Sequence, residues 1–328
     1  MIILIGKDLA ESGRGDLAMA KTVLVTGGRG LVGSAIKALK NNYKDLNFIF
    51  TGRQAHDLTC ESDVKALFEE VKPDYVIHTA ARVGGIGRNL ATPAQQYYAN
   101  ILMNAFVIHY AQLSGVEKLL AFSSVCAFPA GAESLHEDIL HDGEPYPAHY
   151  SYAYSKRMVD VQIKAYNQQY GVNYCSVIPG NIFGENDNFN LEDGHVVPSL
   201  VHKCYKAKKE GTALQVWGDG TPYREFLYAK DVARACVDLL QLDGKLPQRV
   251  IVSGERETQI KDLVKLVCDA FDYHNVEWLT EKPNGQLRRP TNKEIFANTL
   301  PDFQYTSLEK AMKKTVKWFE KNYPNVRL

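Results

Sequence analysis

Short apolar runs alternate with amphipathic stretches between residues 21 and 180. We predict buried strands where apolar residues follow one another without a break, and helices where they recur along one helical face. The predicted strands lie at 23–25, 48–50, 75–78, 118–122 and 174–178, and the predicted helices at about 31–38, 61–71, 93–114 and 152–170. Apolar strands separated by helices predict an α/β fold of the Rossmann type, with a doubly wound parallel sheet covered on both faces.

This alternation breaks after residue 180, where segments rich in Asn, Gly and Pro interrupt it. We therefore predict a larger domain formed by residues 21–180 plus about 225–254, and a smaller C-terminal substrate-binding lobe formed by about 181–224 plus 255–328. Residues 1–20 precede the first convincing strand. We predict a flexible N-terminal extension there, with an added edge strand or an arm on a partner subunit as the alternatives.

Composition and charge narrow the class of protein. Of the 328 residues, 45% are hydrophobic and 23% charged, and Lys plus Arg balance Asp plus Glu at 38 each. This composition excludes disorder for the bulk of the chain, and the zero net charge gives no reason to expect a nucleic acid or a membrane as partner. The six cysteines form no Cys-x-x-Cys pair. We therefore expect no metal site and no disulfide scaffold, but reduced thiols in a cytoplasmic protein.

A glycine-rich turn separates the first predicted strand from the first predicted helix. Gly27, Gly30 and Gly33 have the GxxGxxG spacing, and Leu31 and Val32 lie between the last two. Glycines permit a tight turn, and the backbone N–H groups at the helix start can then approach a pyrophosphate, where the helix dipole favours negative charge. Because a strand and a helix flank the motif, it predicts a dinucleotide-binding site.

The residues after the second predicted strand indicate which nicotinamide cofactor is bound. A cofactor with a free ribose 2′-hydroxyl favours Asp or Glu at this position. The chain has Arg53 there, and a second arginine, Arg29, within the glycine-rich turn. Two guanidinium groups suit a 2′-phosphate, so we predict NADP (as NADPH) rather than NAD.

Three further residues form a candidate catalytic set. Tyr152 and Lys156 are four positions apart on a predicted helix, so their side chains lie on one face. The ammonium group is expected to lower the pKa of the nearby phenol. Ser124 follows the strand at 118–122, at the sheet edge where ligands of open α/β sheets bind. Together with the glycine-rich turn, this set is far more specific than Tyr-x-x-x-Lys alone.

The glycine-rich turn, the strand-end serine and the Tyr-x-x-x-Lys pair resemble, in order, the motifs of the extended short-chain dehydrogenase/reductase family. The resemblance extends from Lys21 to the C-terminus. It implies a nicotinamide-dependent enzyme. It also implies further cofactor contacts at Asp57, Ala80, Lys156 and His195.

Two more segments resemble the members of that family that act on a keto sugar attached to GDP. Cys126 lies two residues past the strand-end serine, and His195 lies in the run Gly-His-Val-Val-Pro. The resemblance implies 3,5-epimerisation and NADPH-dependent 4-keto reduction of GDP-4-keto-6-deoxy-D-mannose. A C–H beside a ketone is acidic because its carbanion is an enolate, so inversion needs a base on one face and an acid on the other. A Cys126 thiolate and the His195 imidazole suit those two roles.

The resemblance also implies which residues bind the nucleotide-sugar substrate. We expect Asn181 to contact the sugar, and Lys203 and Arg224 to contact the diphosphate. Trp217 offers an apolar wall for the guanine or the sugar, and Arg288, with Arg289 beside it, forms a basic turn.

One position departs from the pattern of the family. Glu185 stands where the family often has proline. The exchange removes a stiffened turn and adds a negative charge near the expected diphosphate site. We therefore expect it to affect loop rigidity and substrate affinity rather than the class of reaction.

Subunit association is a further expectation. The helices predicted at about 94–113 and 152–169 carry enough apolar positions for a four-helix interface between two subunits, and members of the family commonly form such homodimers. The same apolar stripes would also be explained by packing against the sheet.

Two other functions are compatible with parts of the sequence. A nucleotide-sugar 4-epimerase or 4,6-dehydratase would hold NAD(P) tightly and would not consume it, but such dehydratases usually have Thr and an acidic residue where this chain has Ser124 and Cys126. A catalytically silent reductase fold that only binds NADP has no physical need for the intact set of Tyr152, Lys156 and His195.

Overall fold

The computed structural model describes residues 20–192, 194–282, 284 and 286–328, apart from the side chain of Ile86. Residues 1–19 of the predicted N-terminal extension lie outside the described residues. Within the described part of the chain, no helix has both the length and the apolar character needed to cross a bilayer.

A six-stranded parallel sheet forms the centre of the larger domain. Its strands lie in the order β2 (Leu46–Phe50), β1 (Lys21–Thr26), β3 (Tyr75–His78), β4 (Lys118–Phe122), β5 (Asn173–Pro179) and β9 (Arg249–Val252). The side chains of Val23, Leu24 and Val25 are fully buried, because helices cover both faces of the sheet. The predicted α/β doubly wound fold is confirmed, with a sheet extended by β9.

Helices cover the two faces of this sheet. Their bounds are α1 (Leu31–Leu39), α2 (Glu61–Val71), α3 (Ile86–Ala91), α4 (Pro93–Leu113), α5 (Tyr150–Tyr170) and α7 (Ala229–Gln241). On one face, α1 and α7 bury Ile36 and Val232 in a common apolar cluster. On the other face, α2, α4 and α5 bury Phe68, Val107 and Ile163 in a second cluster. Both clusters stabilise the sheet by removing apolar surface from water.

The smaller lobe has its own apolar cluster. Its elements are β6 (Asn181–Phe183), α6 (Val196–Glu210), β7 (Leu214–Trp217), β8 (Tyr223–Tyr228), β10 (Glu257–Gln259), α8 (Ile260–Phe271), β11 (Val276–Leu279) and α10 (Leu308–Asn322). Three of these strands form a sheet in the order β10-β8-β6, and β11 pairs with β7. Phe189, Val201, Val267 and Phe319 pack together inside this lobe.

Two segments differ from the predicted division of the chain. Residues 225–228 were expected in the larger domain, but they belong to β8, which pairs with β10 and β6 of the smaller lobe. The short helix α9 (Glu294–Thr299) was expected in the smaller lobe. Its residue Phe296, together with Phe303 and Tyr305, packs against the cluster under α1 and α7, because the aromatic rings of this segment cover an apolar surface of the larger domain. The remaining domain boundaries stay a prediction.

The strand order places a crevice at one edge of the main sheet. The order reverses between β1 and β3, and ligands of open α/β sheets bind outside the carboxyl ends of the strands at such a point. The turn after β1, the segment after β3 and the segment after β4 all open into this region. The fold therefore places the glycine-rich turn and the segment with Ser124 at the same edge of the sheet.

Candidate active site

The glycine-rich turn lies against the segment after β3. At Gly27, φ is +69°, and a Cβ atom there would lie 2.8 Å from the backbone nitrogen of Ala80. A Cβ atom on Gly33 would overlap the carbonyl oxygen of Gly27. Side chains at these positions would block the close approach that brings the backbone near a ligand.

A cavity of about 560 Å³ opens beside this turn. The predicted contacts Gly27, Gly30, Arg53, Asp57 and Ala80 line it. Leu31, Val32 and Gly33 form the first turn of α1, whose backbone N–H groups have no helical partners and favour an anion. The cavity and the donors suit a dinucleotide, with the pyrophosphate at the helix start.

The adenosine end of the cavity carries the basic residue predicted to select the cofactor. The side chain of Arg53 is 86% exposed and its Nε lies 3.7 Å from a carboxylate oxygen of Asp57. Asp57 accepts a hydrogen bond from the hydroxyl of Thr59, which is the main cause of its lowered pKa. Arg29 donates to Gln54 and is outside the cavity lining. Arg53 is thus the better placed of the two arginines for a 2′-phosphate.

The buried residue His78, for which no role was predicted from the sequence, links the elements beneath this part of the cavity. His78 accepts a hydrogen bond at Nδ1 from the Thr26 hydroxyl, 2.7 Å away, and donates from Nε2 to the Asn104 side chain, 3.0 Å away. Burial lowers the pKa of His78 to about 3, so the ring stays neutral. It joins β1 and β3 to α4 beneath the cofactor cavity.

Ser124 connects two of the predicted catalytic residues. Its Oγ accepts a hydrogen bond from the backbone N–H of Cys126 at 3.1 Å. The hydroxyl of Ser124 also lies next to the Cys126 thiol and the Tyr152 phenol. The structure therefore brings Ser124, Cys126 and Tyr152 into one contiguous group.

The thiol and the phenol of this group are both held in their protonated forms. Burial raises the pKa of Cys126, and the hydrogen bond with Ser124 and the charge of Arg289 oppose that rise. Burial also raises the pKa of Tyr152, and the neighbouring Cys126 raises it further. A phenol of this kind is suited to donating a proton at neutral pH.

Lys156 lies beneath the phenol. It is 1% exposed, its Nζ donates to the carbonyl oxygen of Phe122 at 2.7 Å, and it lies 6.0 Å from the centroid of the Tyr152 ring. Burial lowers the pKa of Lys156 to about 8. The expectation that Lys156 would lower the phenol pKa is wrong for this structure, because burial of Tyr152 outweighs the effect of an ammonium group directed at a backbone carbonyl.

His195 comes from the smaller lobe. It immediately precedes α6, and its side chain does not cap that helix. The residue is exposed to solvent, yet the surrounding protein and the positive charge of Arg327 lower its pKa. The imidazole is therefore mostly neutral at physiological pH.

The smaller lobe also supplies an aromatic and basic surface. Lys203 on α6 holds its Nζ 5.6 Å from the centroid of the Trp217 ring, and Lys282 lies over the same ring at 5.9 Å. Trp217 remains 59% exposed. The structure brings the predicted residues Lys203 and Trp217 together, and adds Lys282, which the sequence analysis did not single out.

The basic turn contributes Arg289 to the crevice rather than Arg288. Arg288 pairs with Glu257, with its Nε 2.8 Å from one carboxylate oxygen. Arg289 is half-buried and donates to the carbonyl oxygen of Pro129 at 2.8 Å. Its charge opposes the rise that burial causes in the pKa of Cys126. Burial lowers the pKa of Arg289 itself, and the nearby Arg224 lowers it further. Its Nε is buried without a hydrogen-bond partner, which suits an anionic ligand.

Asn181 and Glu185 both have hydrogen-bond partners within the protein. Asn181 donates to the carbonyl oxygen of Glu225 at 2.9 Å and is otherwise exposed. Glu185 accepts hydrogen bonds from Lys230 at 2.7 Å and from Tyr228 at 2.8 Å. Because Lys230 neutralises Glu185 and both partners hold it in place, it adds less negative charge to the loop than the sequence alone indicates.

Comparison with known proteins agrees with this arrangement. Residues 23–254 match the model of the NAD dependent epimerase/dehydratase family. The chain belongs to this family. Its Rossmann-type sheet and its set of Ser124, Tyr152 and Lys156 agree with this assignment.

Within the family, the chain is similar to several curated GDP-L-fucose synthases. The one from Dictyostelium discoideum is 36% identical over 312 residues, covering 94% of this chain and 98% of its own. The one from Escherichia coli (strain K12) is 30% identical, covering 93% and 98%. A crystal structure of a GDP-L-fucose synthetase from Naegleria fowleri bound to NADP superposes with a TM-score of 0.89, at 36% identity, covering 95% of this chain and 96% of that one.

Proposed function

We propose that the protein is a GDP-L-fucose synthase, which epimerises GDP-4-keto-6-deoxy-D-mannose at carbons 3 and 5 and reduces it at carbon 4 with NADPH. The observation that carries the proposal is the group in which the Ser124 hydroxyl lies beside both the Cys126 thiol and the Tyr152 phenol. A reductase needs the phenol and the serine. A thiol within the same group adds a base, which epimerisation requires.

The epimerisation depends on a base and an acid on opposite faces of the sugar. Carbons 3 and 5 both flank the ketone, so loss of either proton gives an enolate. Cys126, as a thiolate, removes the proton from one face. The raised pKa of this thiol makes its thiolate scarcer but more basic, and Arg289 and Ser124 stabilise the anion. His195 delivers a proton to the other face as the imidazolium, which the surrounding protein and the charge of Arg327 make the minor form but the stronger acid.

Reduction at carbon 4 uses the Tyr152 phenol and the Ser124 hydroxyl of this group. When bound, NADPH supplies the hydride that carbon 4 accepts. Tyr152 donates a proton to the carbon 4 oxygen, a role that suits a phenol whose pKa is raised by burial. Ser124 donates a hydrogen bond to the same oxygen, and Lys156, which is buried beneath the ring, stabilises the phenolate that results.

The nucleotide part of the substrate binds to the smaller lobe in this proposal. Trp217 offers an exposed aromatic face for the guanine, with Lys203 beside it. Arg224 and Arg289 are half-buried cations near each other, and Arg289 also lies near Cys126. Both suit the diphosphate. We expect Asn181 to contact the sugar, whereas Arg288 is engaged by Glu257 and is a weaker candidate than Arg289.

The consumption of NADPH tests this function against the alternatives. We expect the purified protein to oxidise one NADPH for each GDP-4-keto-6-deoxy-D-mannose, which is followed by the loss of nicotinamide absorbance and by chromatography of the product. A 4-epimerase or a 4,6-dehydratase would regenerate its cofactor, and a silent binding protein would leave the sugar unchanged. Turnover of the sugar without net oxidation of NADPH would contradict the proposal.

The exposed apolar residues of two helices support a homodimer. Leu113 on α4 and Val161 on α5 are 60% and 44% exposed, and the two helices pack against each other. Burying such residues in a four-helix interface would remove apolar surface from water. We expect sedimentation velocity of the intact chain to give the mass of two chains, and Val161→Glu to shift it toward one.

All six cysteines are free thiols, which suits a cytoplasmic location.

A further inference from the structure

The C-terminal tail reaches the cavity beside the glycine-rich turn. Among the described residues that line this cavity, all lie between Gly27 and Met103 except Arg327. Arg327 is the second-last residue of the chain and follows the last helix of the smaller lobe. A residue of the smaller lobe therefore forms part of the wall of the proposed cofactor site.

Packing fixes the position of this tail. The backbone N–H of Phe189 donates to the carbonyl oxygen of Arg327 at 2.8 Å. Val326 packs against the apolar cluster of the smaller lobe, and the Tyr323 ring lies 4.8 Å from that of Tyr205. The backbone of Arg327 is thus anchored, while its side chain is exposed to the cavity.

The charge of Arg327 also acts on two residues of the smaller lobe that do not line the cavity. It lowers the pKa of His195 and opposes the burial that raises the pKa of Asp187 to about 7. Arg53, in contrast, lies beside Asp57 at the adenosine end. The two arginines therefore have different charged neighbours, although both line the same cavity.

The residues described so far neutralise the pyrophosphate of the dinucleotide only in part. The first turn of α1 offers backbone N–H groups to the pyrophosphate. Arg82 and Arg88 also line the cavity, and Arg82 donates one hydrogen bond to Gln95 at 2.9 Å. Arginine binds phosphate oxygens through two parallel N–H groups. We propose that Arg327 binds the pyrophosphate of NADPH and so connects the C-terminal tail to the cofactor. This inference rests on the proposed NADPH dependence.

A crossed binding experiment tests which phosphate Arg327 contacts. Binding of NADPH, NADH and adenosine 2′-monophosphate is measured by calorimetry with the full chain and with Arg327→Met and Arg53→Met. We expect Arg327→Met to raise the Kd of NADPH and NADH by the same factor, about tenfold or more, and to leave adenosine 2′-monophosphate unchanged. Arg53→Met should weaken NADPH and adenosine 2′-monophosphate but not NADH.

Two further variants control for charge and for geometry. Lys317→Met removes one positive charge from the exposed side of α10 and should leave every Kd unchanged. Arg327→Lys keeps the charge without the fork and should fall between the parent and Arg327→Met. Since Arg327 is exposed, its variants should keep the parent melting temperature.

Two results for Arg327→Met would overturn the inference. One is unchanged binding of both NADPH and NADH, and the other is an equal loss of affinity for adenosine 2′-monophosphate, which would place Arg327 at the 2′-phosphate. If the parent protein bound neither dinucleotide, the proposed function itself would be wrong. That failure is distinguishable because it occurs without any substitution.

Discussion

Cys126→Ser should lower the exchange of solvent deuterium into carbons 3 and 5 of the keto sugar by about 10²- to 10⁴-fold, the usual contribution of a general base. A serine hydroxyl keeps the size of the side chain but is far too weak an acid to supply the anion. The Kd for NADPH should stay unchanged, because Cys126 does not line the cofactor cavity. The exchange is followed by NMR in deuterated buffer without NADPH.

Cys60→Ser is the matched control for this substitution. Cys60 is exposed and lies at the start of α2, so its loss should not change the exchange. The exchange by the parent protein should also rise with pH, because burial holds the pKa of Cys126 above its ordinary value and the thiolate is the minor form. If Cys126→Ser exchanged at the parent rate, another group would be the base.

Tyr152→Phe should lower the rate of NADPH oxidation by about 10²- to 10⁴-fold, since carbon 4 would then lack its proton donor. Exchange at carbons 3 and 5 should persist, because the Cys126 thiol and the His195 imidazole remain in place. The rate of oxidation is measured by absorbance in single turnovers, and the exchange by NMR in parallel.

Tyr150→Phe is the control for Tyr152→Phe. Tyr150 lies two positions earlier on α5 and is 52% exposed, so removal of its hydroxyl should leave both rates unchanged. Equal losses of oxidation and exchange in Tyr152→Phe would show that the phenol serves the epimerisation too, and would contradict the division of roles proposed for this site.

Local sequence signals predicted much of the fold and the glycine-rich turn of the candidate site. The strand at 75–78, the helix at 61–71 and the strand at 118–122 have the predicted bounds, because unbroken apolar runs and one-sided helices are properties of neighbouring residues. The glycine-rich turn was predictable for the same reason. Its glycines and the helix that follows it form one local unit.

Features that depend on contacts distant in sequence were not predictable in this way. Phe296 packs against the larger domain although it follows the smaller lobe in sequence. The engagement of Arg288 by Glu257, which leaves Arg289 facing Cys126, depends on the pairing of β10 with β8. The raised pKa of Tyr152 depends on its burial, which no spacing of Tyr and Lys indicates.

The most direct test of the account is the product formed from GDP-4-keto-6-deoxy-D-mannose and NADPH in deuterated water. This experiment tests whether Cys126 and His195 invert two centres of one sugar before Tyr152 completes the reduction. The account predicts GDP-L-fucose with deuterium at both carbon 3 and carbon 5, as determined by NMR and mass spectrometry. A sugar reduced at carbon 4 with its original configuration and no deuterium at carbons 3 and 5 would contradict it.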